Sequence, residues 1–208
     1  MPPAPGFVGP ARRVLVGLLL VAILVIAAGC KASFDPTGPC TADGRGSGAY
    51  PELEASVPTA YQGAKPSQLD SGRICTPAGL GTLAGHNVKE MRFAGGIWST
   101  GTDSGVSLAV LTDPDGPPLD PAWVVEFYDA TARVGKNVQS IETSVFPVKG
   151  SIAGSRIDVL NGESYQSVIV WERNGQIAVA LVANFIREIQ TKEAHDKIVR
   201  AAVDAFSG

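Results

Sequence analysis

Three cysteines, Cys30, Cys40 and Cys75, and two histidines, His86 and His195, are the side chains best suited to nucleophilic, redox or metal chemistry in this chain of 208 residues. Their spacing argues against most of that chemistry. A zinc site needs several thiolates or imidazoles at short, regular intervals, and these residues are scattered. A hydrolase of the nucleophile-elbow type needs Gly-x-Ser-x-Gly, which does not occur. Asp103-Ser104-Gly105 is the nearest approach, and its place beyond a turn at a strand start is explained by hairpin geometry. His86 follows Gly85 in a loop and His195 falls in the first turn of a helix, so both read as solvated surface histidines.

The remaining candidate motifs are weaker. Gly150 to Ser155 contains two glycines but lacks the lysine of a phosphate-binding loop and leads into no helix, so it reads as a bend between strands. Glu52 with Glu54, and Asp113 with Asp115, lack the ligand density of a calcium loop and read as surface acids. No residue pattern implies a cofactor or a metal. The chain has 17 basic and 20 acidic residues, net −3, and its longest basic run is the pair Arg12-Arg13. Nucleic acid is therefore not an expected partner, because binding to phosphates draws on clustered lysine and arginine.

The N-terminus carries the most specific pattern. A basic stretch ends at Arg13, an apolar run extends from Val14 to Ile26, and Ala27-Ala28-Gly29 precede Cys30. The apolar run is shorter than the roughly 20 residues of a membrane span and has the proportions of a cleaved signal peptide. This order resembles the lipobox of bacterial lipoproteins, with Ala27 where leucine is usual and Val25 and Ile26 supplying the bulk upstream. The resemblance implies cleavage before Cys30, a diacylglycerol thioether on its sulfur, and further acylation of the freed amine. Two chains or more, at about 0.8 kcal/mol per buried methylene, make membrane attachment durable. With Cys30 assigned to lipid, Cys40 and Cys75 remain as an even pair in an oxidising compartment and are expected to form a disulfide.

The elements that must position these groups follow from periodicity and turn chemistry. Residues 30–50, rich in proline, glycine and serine, read as a tether, and 51–208 as a single domain. Thr76-Pro77 opens a short helix, and Val88 to Ser99 and Ser104 to Thr112 form a hairpin. Asp120-Pro121 opens the clearest helix, with Trp123, Val124, Phe127, Thr131 and Val134 on one apolar face. Strands are expected at Val138 to Phe146, Arg156 to Leu160, Tyr165 to Arg173 and Gln176 to Asn184, with Asn161-Gly162 and Asn174-Gly175 as tight turns. The run from Ile177 to Ala183 is apolar on both faces and belongs in the middle of a covered sheet. Thr191 caps a last helix over Lys192 to Phe206, whose stripe is read as Ala194, Ile198, Ala201, Ala202 and Ala205.

This order predicts an α+β fold: a mostly antiparallel sheet packed with two main helices. Together with the lipobox, the layout resembles the actinobacterial LpqN-type lipoproteins, whose domain has the PsbP-like fold, and the resemblance spans Val88 to Phe206. It implies an accessory protein without catalysis that binds an envelope protein or a small apolar ligand, anchored on the extracytoplasmic face of the cell membrane. The competing expectations are an envelope hydrolase whose site the motifs do not reveal, and a carrier of an apolar small molecule. The tryptophans bear on the last of these: Trp123 is placed in the core by helical phase, whereas Trp98 and Trp171 fit either the core or a groove.

Overall fold

The computed structural model describes residues 34–207, so the expected signal peptide and Cys30 lie outside the described residues. The strands are β1 (Gly44–Gly46), β2 (Gln68–Ile74), β3 (Met91–Ser99), β4 (Gly105–Thr112), β5 (Val138–Lys149), β6 (Ile152–Asn161), β7 (Ser164–Arg173) and β8 (Gln176–Phe185). They form one antiparallel sheet in the order β1-β2-β3-β4-β8-β7-β6-β5. The helices are α1 (Pro51–Glu54), α2 (Pro77–Leu80), α3 (Pro121–Arg133), α4 (Ile186–Ile189) and α5 (Lys192–Phe206), and a 3-10 turn runs over Gly81–His86. The expected α+β fold is the fold observed.

Alternation along the strands builds a core on each face. Ala178, Ala180 and Val182 of β8 turn toward α5 and join Trp98, Trp171, Val199, Val203 and Phe206. Ile177, Val179 and Leu181 turn toward α3 and join Val124, Phe127, Tyr128 and Met91. The doubly apolar strand thus lies beside the middle of the sheet with a helix on each side. Such burial, at about 25 cal/mol per Å2 of apolar surface, is the main stabilising term. Trp98 and Trp171 are core residues, whereas Trp123 is half-buried and packs at the margin of its cluster.

The stripe of α5 differs from the expected one. His195, Val199, Ala202, Val203 and Phe206 are buried, and Ala205 is exposed. A stripe read with His195 as a polar residue lies one position away, on the alanines. The larger valine and phenylalanine side chains, which gain more from burial, set the phase instead.

The segment with the composition of a tether is docked on the domain over residues 34–50. Arg73 of β2 donates to the carbonyls of Asp35, Gly38 and Pro39, and its guanidinium lies over the ring of Phe34 at 5.5 Å. Asp43 accepts from the backbone amides of Cys75 and Thr76. Cys40 and Cys75 form the expected disulfide, with Cα atoms 5.6 Å apart. Neither β1 nor β2 was foreseen, since Gln-Leu-Asp-Ser-Gly-Arg-Ile has little strand propensity and its pairing is imposed by neighbours. Gly72 permits a close approach of the two backbones: a Cβ there would lie 2.3 Å from the carbonyl oxygen of Gly44.

Candidate functional site

His195 is the centre of the most elaborate polar array among the described residues. Thr191 accepts from the amide of Ala194 and so starts α5, which brings His195 down onto the sheet one turn later. Its side chain is 1% exposed, which corrects the expectation of a solvated histidine. Nε2 lies 2.8 Å from Oγ of Ser167 on β7, and Nδ1 lies 2.8 Å from the side-chain amide of Asn184 on β8. Ser167 Oγ also donates to Asp158 on β6 and accepts from Arg156 at 3.2 Å. Arg156 binds Asp158 through Nε at 2.8 Å and pairs with Asp196 of α5. Lys192 reaches Asp158 and Asp196, each at 3.2 Å.

The electrostatics keep the imidazole neutral. Burial, and then the nearby positive charge of Arg156, push the His195 pKa down to about 4, against the opposing pull of Asp158 and Asp196. Burial also acts against the Arg156 guanidinium, but its bonds to Asp196 and Asp158 outweigh that and raise its pKa. Asp196 is held below the usual carboxylate range because its bonds to Arg156 and Lys192 exceed the cost of burial.

A serine, a histidine bonded to it through Nε2, and an amide behind Nδ1 have the outline of a nucleophilic triad. One proton arrangement leaves this triad idle. The single hydroxyl proton of Ser167 is required by the close contact to the Asp158 carboxylate. The contact between Ser167 and His195 is then satisfied by a proton on Nε2, which leaves Nδ1 as an acceptor. A half-turn of the Asn184 amide presents its nitrogen to Nδ1, and that nitrogen otherwise lacks a partner. In this state His195 holds no free lone pair toward Ser167. The serine is itself 1% exposed in the middle of a strand. The array docks α5 on the sheet.

Other sequence candidates are dispersed. His86 stacks on Trp123 with ring centroids 4.7 Å apart and bonds Glu126 at 2.8 Å, on the opposite face from His195. Ser104 is buried and used structurally: it binds Glu188 and accepts from the amide of Phe185 at 3.0 Å. Asp113 accepts from the amides of Asp115 and Gly116 to fix its turn. Gly150, at φ +60°, lies in the bend that joins β5 to β6. Glu90 lies near the sulfurs of Cys40 and Cys75, but those sulfurs are joined to each other, and Glu90 pairs with Arg92 at 2.7 Å.

Two surface features accompany this array. A groove of about 170 Å3 lies beside α5, where Ser140, Glu142, Asp158, Leu160, Tyr165 and Lys192 meet. It is smaller than the roughly 300–1,000 Å3 of sites for drug-sized ligands. The second feature is β5 itself, 12 residues long and last in the sheet, which leaves the backbone groups of one side without a neighbouring strand among the described residues. The opposite edge, β1, has 3 residues. Sequence reasoning found β5 as a strand but had no signal for its edge position, which depends on the crossover through α3. The chain matches no known protein-family model and no curated protein sequence. No helix among the described residues is long and apolar enough to cross a membrane.

Proposed function

We propose that this protein is a lipid-anchored extracytoplasmic lipoprotein whose domain is a non-catalytic binding module of the cell envelope. The observation that carries the binding reading is the long open edge at β5. Edge strands recruit other chains through main-chain hydrogen bonds, and proteins that do not use them cover, shorten or blunt them with bulges, proline and charge. On β5 the bulges and Pro147 lie at the ends, and Ser140 to Phe146 carry the single charge of Glu142. The anchor reading rests on the pattern that ends at Cys30, and the disulfide between Cys40 and Cys75 suits the same oxidising compartment. The resemblance to LpqN-type lipoproteins points the same way, toward an accessory role. The carrier reading has less support, because the groove beside α5 is small.

The test is the intact mass of the protein extracted from membranes of its native host, beside a Cys30→Ser variant. The expected wild-type species lacks residues 1–29 and carries acyl additions that the variant lacks. An unprocessed, unmodified wild-type mass overturns the anchor. Hydrolysis of an ester or amide that is lost in both Ser167→Ala and His195→Gln, with the fold intact, overturns the non-catalytic reading.

A further inference from the structure

The open side of β5 is bounded at both ends. Register shifts interrupt its pairing with β6 between Val138 and Ser140 and between Pro147 and Lys149, and Pro147 has no amide proton to offer. Between these limits, Ser140 to Phe146 pair regularly with β6. Alternation divides their side chains. Ile141 packs at the margin of the core under α3, so Thr143 and Val145 share that face. Ser140, Glu142 and Ser144 share the face of Phe146, which packs in the core under α5. Val145 is 77% exposed, one of the large apolar side chains left in solvent.

Resting on the reading of β5 as a binding edge, we propose that its occupant is a second copy of this chain, paired antiparallel, β5 to β5, about a two-fold axis through Thr143. Such an axis runs perpendicular to the sheet and keeps each residue on its own face. Thr143 then faces Thr143 of the second copy, Ile141 faces Val145, and Glu142 faces Ser144. Cross-strand pairs of β-branched residues and a hydroxyl opposite a carboxylate are favourable contacts. The stripes of Ile141, Thr143 and Val145 from the two copies join into one patch that shelters both Val145 side chains. Neighbouring registers are worse. An axis through Glu142 sets two carboxylates against each other, and one through Ser144 sets Glu142 against Phe146 and Ile141 against Pro147. The two-fold also holds both copies of Phe34 at equal height along the axis, so both N-termini can reach one bilayer.

The test is disulfide trapping in the full-length protein, in membranes of the native host, with Thr143→Cys and Ser144→Cys variants under mild oxidation. Facing residues at Thr143 come within the Cα separation that a disulfide spans, whereas the two copies of Ser144 are diagonal neighbours beyond it. The expected result is a species of twice the monomer mass for Thr143→Cys and none for Ser144→Cys. Adding Val145→Lys to Thr143→Cys is expected to lower the trapped fraction at least tenfold. Retention of the bond between Cys40 and Cys75, read by mass, reports that each variant is folded. No dimer at Thr143→Cys, or equal dimer at both positions, overturns the proposal. An adduct of Thr143→Cys with a protein of different mass also overturns the second copy, but leaves β5 as a binding edge.

Discussion

Nε2 of His195 lies 2.8 Å from Oγ of Ser167, and this contact joins the last helix to β7 through two residues that are each 1% exposed. Around it, Arg156, Asp158, Lys192 and Asp196 form a charged rim that opens onto the groove beside α5. The stability of the α5 face therefore depends on protonation as well as on packing.

The sign of that dependence follows from the depressed pKa of His195. Below its unfolded value of 6.5 the unfolded chain takes up a proton that the folded chain refuses until about pH 4. The stabilisation is complete above pH 6.5 and is lost as pH falls toward 4. At 1.36 kcal/mol per pKa unit the loss is about 3 kcal/mol. Urea unfolding at pH 7 and pH 4.5 checks this: His195→Gln is expected to be less stable at pH 7 and to show a smaller difference between the two pH values.

Arg156 is buried between two carboxylates. Replacing it with methionine keeps much of the volume but leaves Asp158 and Asp196 beside each other with Lys192 as their remaining cation. A loss of about 2–3 kcal/mol is expected, below the roughly 3–5 kcal/mol of a fully stranded buried charge because Lys192 still pairs with both acids. A part of it should return when Asp158→Asn is added, and a double-mutant cycle in urea measures that coupling.

Gly72→Ala introduces a methyl group 2.3 Å from the Gly44 carbonyl oxygen, an approach that neither backbone can absorb. The expected outcome is loss of β1 from the sheet while β3 to β8 persist. Amide hydrogen exchange should show faster exchange over Gly44 to Gly46 and unchanged protection in β8.

Removing the disulfide with Cys40→Ser and Cys75→Ser together is expected to cost about 2–4 kcal/mol through the restored entropy of the unfolded chain. Limited proteolysis should then cut at Arg45, which the native protein protects through the docked segment.

The legible parts of this fold were those with strong local signals. The proline-opened α3, the capped α5 and the Asn-Gly turns flanking β7 carry their own punctuation, and the run from Ile177 to Ala183 announces a covered central strand. The pairing of β1 with β2 was not legible, because it is held by Arg73, Asp43 and the disulfide, groups far apart in sequence. The polar array was missed for a related reason. A histidine on a helix face gives no sign that Ser167 and Asn184, on two different strands, will meet its two nitrogens. Likewise, the open side of β5 arises from chain topology, to which local residue patterns are blind.

The disulfide also decides how tension applied at the N-terminus travels through the molecule. The chain enters the described domain at Phe34 and meets Cys40 before it reaches β1, and the sulfur bridge leads directly to Cys75. A pull from that end is carried covalently past β1, α1 and β2, which all lie inside the closed loop. Those elements form a mechanical bypass that bears no load while the bridge is intact.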